Sequence, residues 1–360
     1  MEPLKEMFNH TFYQKLANTF AVVHKPFQAE RFVKEVTFEL ENLSLNQRMR
    51  NTSIILHQHL PENYSKAINI MKEVVPQLNS GYTTLVFPDF VSLYGLSHFR
   101  ESLDALKYFT SFGSSEFAVR TFLRHDLDRT LNVMYKWSTN ENHHVRRLAS
   151  EGSRPRLPWS FKLDEIIKNP RLTAPILENL KSDDELYVRK SVANHLNDLS
   201  KDSPDYVLRL VKTWDKIHPH TAWIVKRGIR SLLKQGDKKS MALFNLTKDV
   251  KISVKRFKLS QPVVRLNDSL QFQFDLVSEK SSSQTLMIDY RIHYCKKSGV
   301  QLPKVFKWKE ITLKQSDVVS ITKKRRFQDF TTRKLFSGLH VLEIVVNGAV
   351  VKRKTFEFLR

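Results

Sequence analysis

The apolar pattern of this chain changes period once, near residue 250, which restricts the fold to a helical part followed by a sheet part. Before that point FVKEVTFELENL, YSKAINIMKEVVPQL and HFRESLDALKYFTSF space their apolar residues at the helical interval. After it, Leu270, Phe272, Phe274 and Leu276 alternate with polar residues, as do Leu286, Ile288, Tyr290, Ile292 and Tyr294. Alternation sends one set of side chains to one face of a strand, so each run is expected to be half-buried. Asn347-Gly348 between β-branched runs predicts a type I′ hairpin, because both residues tolerate positive φ. The expected domains are residues 1–250, helical, and 251–360, a β domain, with the boundary within KDVKIS. A length of about 110 residues with several short strands suits an immunoglobulin-like β-sandwich. A small barrel is the competing arrangement.

The helical part carries a weak internal repeat. EFAVRTFL, HHVRRLAS, LYVRKSVANHL and WIVKRGIRSLL align on Val119, Val145, Val188 and Val225, at intervals of 26, 43 and 37 residues. Each unit opens with Val followed by Arg or Lys. Helix pairs of this length are HEAT-like units, which bury their apolar faces by stacking and so curve into a groove. Duplex DNA suits such a groove. The fold class expected is an all-α HEAT-like solenoid followed by an immunoglobulin-like sandwich.

Charge narrows the partner. The net charge is +22, and residues 251–360 hold 23 Lys or Arg against 9 Asp or Glu. Such a field attracts polyanions. Its basic runs alternate with aromatics: KRFK at 255–258, FKWK at 306–309 and KKRRF at 323–327. Edge-guarding lysines explain scattered charges but not the cluster Lys323, Lys324, Arg325 and Arg326, for which phosphate contact is the better account. No helix-turn-helix, zinc-finger or basic-zipper pattern is present, so sequence-specific readout is not expected. No apolar run is long enough to cross a bilayer, and MEPLKEMFNH lacks the signal-peptide pattern. The lone Cys295 precludes an internal disulfide, so a cytoplasmic setting is expected. His143-His144 has no further ligand at metal spacing, and no metal or cofactor is expected.

Counting about 100° per residue, Val188, Val192, Leu196 and Leu199 form one helix face, and Ser191, Asn194 and Asp198 another. Glu151 stands at the same offset from Val145 as Asn194 from Val188, so Glu151, Asn194 and Asp198 are expected on one surface. A lone acid on a helix is ordinarily just solvated. Convergence from two units is what singles these out. The stretch HHVRRLASEGSRPRLPWS ends its helix with Glu151, several arginines and Trp159 after Pro158. Trp159 is either a plug over the core or the wall of a site, whereas Trp137 in MYKWSTN is expected in the core. The Arg after each repeat Val is either a rung between helix pairs or a phosphate contact.

With EPLKEMFN, FPDFVSLYG, SSEFAVRTFL, VRRLASEGSRPRLPW and VRKSVANHLNDLSKD, residues 1–250 resemble DNA-alkylation-repair glycosylases of the AlkC type, relatives of the AlkD type. Some members carry an immunoglobulin-like tail. The resemblance implies a HEAT-like solenoid that cradles duplex DNA and excises 3-methyladenine and 3-methylcytosine without a deep base-flipping pocket. Glu116, Glu151, Trp159 and Asp198 match the family's active-site positions. A base methylated on N3 is already cationic and needs no general acid. The useful groups are then carboxylates near the sugar, where an oxocarbenium-like charge develops, and a positioned water. Glu151 and Asp198 are expected in those roles, with Trp159 offering its π face to the cation. Arg154, Arg156, Arg189 and Lys190 are expected to reach phosphates. The chain is expected to act as a monomer on alkylated double-stranded DNA, with no membrane and no obligate protein partner. Two rivals are a non-catalytic HEAT-like binder of damaged or branched DNA, and a scaffold for an acidic partner.

Overall fold

Short polar residues start several of the helices. Asn9 accepts from Phe12 N at 2.9 Å, Asn63 from Lys66 N at 3.0 Å and Asn142 from His144 N at 2.9 Å, each satisfying an amide that has no partner within its helix. The computed structural model describes residues 3–246, 250–330 and 333–360. Tyr64–Val74 and Phe99–Phe109 lie where the apolar spacing predicts helix. FVKEVTFELENL departs from its expected single helix. The helix Ala29–Val36 stops, Glu39 turns left-handed at φ 54°, and Leu40–Asn42 forms a 3₁₀ turn. Thr37 Oγ1 donates to Val33 O at 2.7 Å, a local bond that competes with helix continuation.

Helices up to three places apart in the chain pack as neighbours through the repeats. Leu45–His59 lies against Val86–Tyr94, Val86–Tyr94 against Glu116–His125, and His143–Gly152 against Leu186–Asp202. Val119, Val145, Val188 and Val225 are all buried, as HEAT-like stacking requires. Trp137 is buried, as expected of a core residue. No helix among the described residues is long and apolar enough to cross a membrane.

The sheet part is a sandwich rather than a barrel. One sheet has the order β1-β3-β6, with β1 Ile252–Leu259, β3 Ser269–Ser278 and β6 Val318–Arg326. The other has the order β2-β8-β7-β4-β5, with β2 Val263–Arg265, β4 Gln284–Cys295, β5 Gln301–Leu313, β7 Gly338–Val346 and β8 Ala349–Leu359. Every neighbouring pair is antiparallel except β2 with β8. The alternating sets from Leu270 to Leu276 and from Leu286 to Tyr294 are all buried in one core. Asn347 (φ 46°) and Gly348 (φ 76°) join β7 to β8 as expected of a type I′ turn.

The chain divides into two compact units, Met1–Gly228 and Ile229–Arg360. The expected boundary lies between residues 250 and 251, next to residues 247–249, which lie outside the described residues. The helices Arg230–Gln235 and Lys238–Ala242 thus group with the β domain, and one close approach shows why. A Cβ on Gly348 would stand 2.5 Å from Gly236 Cα, so the hairpin turn packs directly on the end of a helix.

Candidate active site

Helix packing delivers three acids to one region. The helix Leu186–Asp202 buries Val188, Val192, Leu196 and Leu199, and Asp198 projects from a different face. Glu151 occupies the last turn of His143–Gly152, and Glu116 opens Glu116–His125. Gly152 permits the close approach of the last two, because a Cβ there would overlap Val119 Cγ1.

Arg154 ties two of the acids together. Its Nη1 donates to Glu151 Oε1 at 2.5 Å, while Nε and Nη2 lie 2.8 and 2.7 Å from Asp198 Oδ2. Glu151, Arg154 and Asp198 are 5%, 7% and 3% exposed, so this is a buried ionic bridge. Burial works to lower the Arg154 pKa, but the two carboxylates hold it above the ordinary guanidinium value. Lys201 Nζ adds a charge 2.9 Å from Asp198 Oδ1. Arg147 pairs with Glu116, lies 3.5 Å from Glu151 Oε1 and stacks over the Tyr187 ring at 4.8 Å. Acids and bases therefore alternate along one chain of contacts.

A cavity of about 450 Å³ is walled by Glu116, Arg147, Glu151, Arg154, Trp159 and Tyr187 among others. Asp198 is not part of its wall and connects to it through Arg154. Trp159 is 69% exposed, which excludes the plug over the core. It sits at φ 64°, a conformation uncommon for a bulky residue. The fully buried Arg120 holds the loop that carries it. Its Nη1 donates to Gly152 O at 3.0 Å and Arg154 O at 2.5 Å, and its Nη2 to Phe161 O, so both ends of the tip are pinned. Burial lowers the Arg120 pKa to about 10, helped by the nearby Arg154.

The structure gives several expected phosphate contacts other partners. Arg154 is enclosed by two carboxylates, because buried acids require a counter-charge. Arg156 donates from Nε and Nη2 to Asp202 at 2.9 and 2.7 Å. Arg189 Nη1 donates to Asp183 O and Asp184 O at 3.0 and 2.6 Å. With Arg120 on its carbonyls and Arg146 on Asp183, two of the repeat arginines are rungs within the protein, whereas Arg189 bonds carbonyls just before its own helix. Lys190 is exposed. Lys323, Lys324, Arg325 and Arg326 line a separate hollow of about 630 Å³ in the β domain, which has no acid among its described lining residues. Arg325 covers the Phe306 ring there at 4.5 Å.

Sequence reasoning missed Arg147 and His195, and reached Arg120 only as one of the repeat arginines. Arg147 was legible from its spacing of four before Glu151, and Arg120 from the Val-Arg repeat. His195 falls on the apolar side of its helix, three residues after Val192. It is fully buried, its Nδ1 lies 3.0 Å from Ser150 O, and it thereby fixes the residue before Glu151. Burial, then the charge of Arg154, depress its pKa to about 3. Below its unfolded value of about 6.5 the unfolded chain binds a proton that the folded state refuses. Stability from this group is thus complete above that pH and drains as pH falls toward 3. Urea unfolding is expected to lose about 2 kcal/mol more between pH 7 and 4.5 in the wild type than in His195→Gln. Equal losses would mean that His195 protonates freely in the fold.

The model of the DNA alkylation repair enzyme family matches residues 103–232, and that described as "Uncharacterised protein YhaZ, C-terminal Ig-like domain" matches residues 253–360. A Bacillus subtilis (strain 168) protein, "Uncharacterized protein YhaZ", is 38% identical over 358 residues, which span 99% of each chain. The solved structure of Pseudomonas fluorescens alkylpurine DNA glycosylase AlkC, bound to DNA containing an abasic site analog, is similar over 100% of both chains, with a TM-score of 0.97 and 43% identity.

Proposed function

The chain belongs to the AlkC family of DNA-alkylation-repair glycosylases, and we propose that it hydrolyses the N-glycosidic bond of 3-methyladenine and 3-methylcytosine in duplex DNA. The observation that carries this reading is the buried Glu151–Arg154–Asp198 bridge beside a cavity walled by Trp159 and Tyr187. The bond from C1′ to the cationic base breaks, the base leaves with the electron pair, and water adds to C1′. Positive charge develops on the sugar meanwhile, and carboxylates already in place stabilise it without reorganising. Glu151, on the cavity wall, aligns that water and takes its proton. Asp198 acts through Arg154, which it helps to orient, and Glu116 adds negative potential through its pair with Arg147. Trp159 presents a ring to the cationic base, a contact of up to about 2 kcal/mol when water is excluded.

Duplex binding falls to the exposed Lys190 and to the β-domain cluster. Replacing Lys323, Lys324, Arg325 and Arg326 by serine is expected to weaken affinity for undamaged duplex and flatten its log–log salt dependence by about 3. An unchanged slope would remove the cluster from the DNA interface. The direct test of the activity is chromatography of free base released from methylated duplex. Salt-sensitive binding with no release would favour a non-catalytic binder of damaged DNA.

A further inference from the structure

Tyr187, at the second position of the helix Leu186–Asp202, lines the catalytic cavity but has no part in the chemistry above. It is 40% exposed, and its hydroxyl makes no hydrogen bond with the described residues. Burial raises its pKa above the ordinary phenol value against the pull of Arg147, so it is neutral at working pH. Its contacts are made by the ring. One is a T-shaped contact with His144 at 5.9 Å, and the other is the guanidinium of Arg147, 4.8 Å over the ring centre.

Arg147 is thereby enclosed. Its side chain is 12% exposed, its Nη1 donates to Ser114 Oγ at 2.9 Å and to Glu116 Oε2, and its Nη2 lies 3.5 Å from Glu151 Oε1. Arg154 Nη1 donates to the same Glu151 Oε1 at 2.5 Å. Both guanidiniums converge on one oxygen, and Glu151 Oε2 accepts no hydrogen bond from the described residues. Oε2 is not sealed from solvent either, so it is the oxygen that can meet a water in the cavity. A guanidinium free to turn would take both oxygens of Glu151, in the fork-to-fork pairing that arginine and carboxylate favour. Here one face is held by a ring and one nitrogen by Glu116, so Arg147 approaches Glu151 with a single nitrogen.

We infer that Tyr187 is a positioning residue for base release: its ring holds Arg147 beside Glu116 and so keeps Glu151 Oε2 open to the water that attacks C1′. The inference rests on the glycosylase reading, with Glu151 as the group that takes the water's proton. Removing the ring lets Arg147 swing onto Glu151 and occupy Oε2. The chemical step then slows, while binding of DNA, in which the ring takes no part, is kept.

The test is single-turnover release of base from methylated duplex by the full chain, with affinity for undamaged duplex and the urea midpoint measured alongside. Tyr187→Leu is expected to slow release about tenfold, the yield of one partly buried cation–π contact, with duplex affinity within about twofold of the wild type. Tyr187→Phe, which keeps the ring, should release base at the wild-type rate. In an Arg147→Met background, Tyr187→Leu should cause no further loss, because the group it holds is gone. A packing role alone would lower the midpoint and show no such dependence on Arg147. If Arg147→Met does not fold, the contrast between Tyr187→Phe and Tyr187→Leu decides the matter. An unaltered rate in Tyr187→Leu, a loss of affinity in place of rate, or an equal loss in Tyr187→Phe overturns the inference, as does additivity with Arg147→Met. Failure of the wild type to release base would overturn the glycosylase reading, and a wild-type rate in Glu151→Gln would overturn the role of Glu151. This inference falls with either.

Discussion

Glu151→Gln is expected to cut release of methylated base by about 100- to 1,000-fold, the range that follows loss of one preorganised group facing a developing charge. Affinity for undamaged duplex should stay within about twofold, because the lost interaction is made only in the transition state. The variant keeps the shape of the side chain and its acceptor toward Arg154 Nη1, so a folding defect does not account for the loss. Asp198→Asn should cost less, because Asp198 reaches the cavity only through Arg154. Single-turnover kinetics on methylated duplex would check both. If Glu151→Gln kept the wild-type rate while Glu116→Gln lost it, the water would belong to Glu116, the other carboxylate on the cavity wall.

Arg154→Met is expected to have the largest effect on folding. It leaves Glu151 and Asp198 buried without the guanidinium that bridges them, and breaking a buried ion pair from one side costs about 3–5 kcal/mol. The urea midpoint should therefore fall steeply at neutral pH. Arg154→Lys should recover only part of the loss, since an ammonium cannot serve two carboxylates with the fixed fork of a guanidinium. In the double variant Glu151→Gln, Arg154→Met the two effects should not add, because the partners are in direct contact. A stable Arg154→Met protein would show that Arg120 alone holds the loop.

Much of this was legible in the chain. The alternating apolar residues of β3 and β4 are buried, together with Asp275, Met287 and Asp289 between them, and Asn347-Gly348 forms the turn its sequence predicts. The apolar face of Leu186–Asp202 lies where counting from Val188 puts it. The convergence of Glu151 and Asp198 was foreseen, yet the agent that joins them was not. Arg154 reads in the sequence as one more cation near DNA, because its charge is visible there and its burial is not.

Periodicity, turn chemistry and charge are properties of neighbours along the chain, so the sequence by itself determined the two architectures, their order and the basic character of the β domain. The partners of each arginine depend on which helices lie across from it. Only the tertiary structure decided that Arg120 and Arg154 turn inward, and that Trp159 stands exposed at a strained φ. It also grouped the helices Arg230–Gln235 and Lys238–Ala242 with the β domain, where Gly236 lies against Gly348. The reason is common to all three. A buried charge or a close backbone approach is settled by what surrounds it in space, and sequence separations of 30 to 110 residues carry no local trace of that.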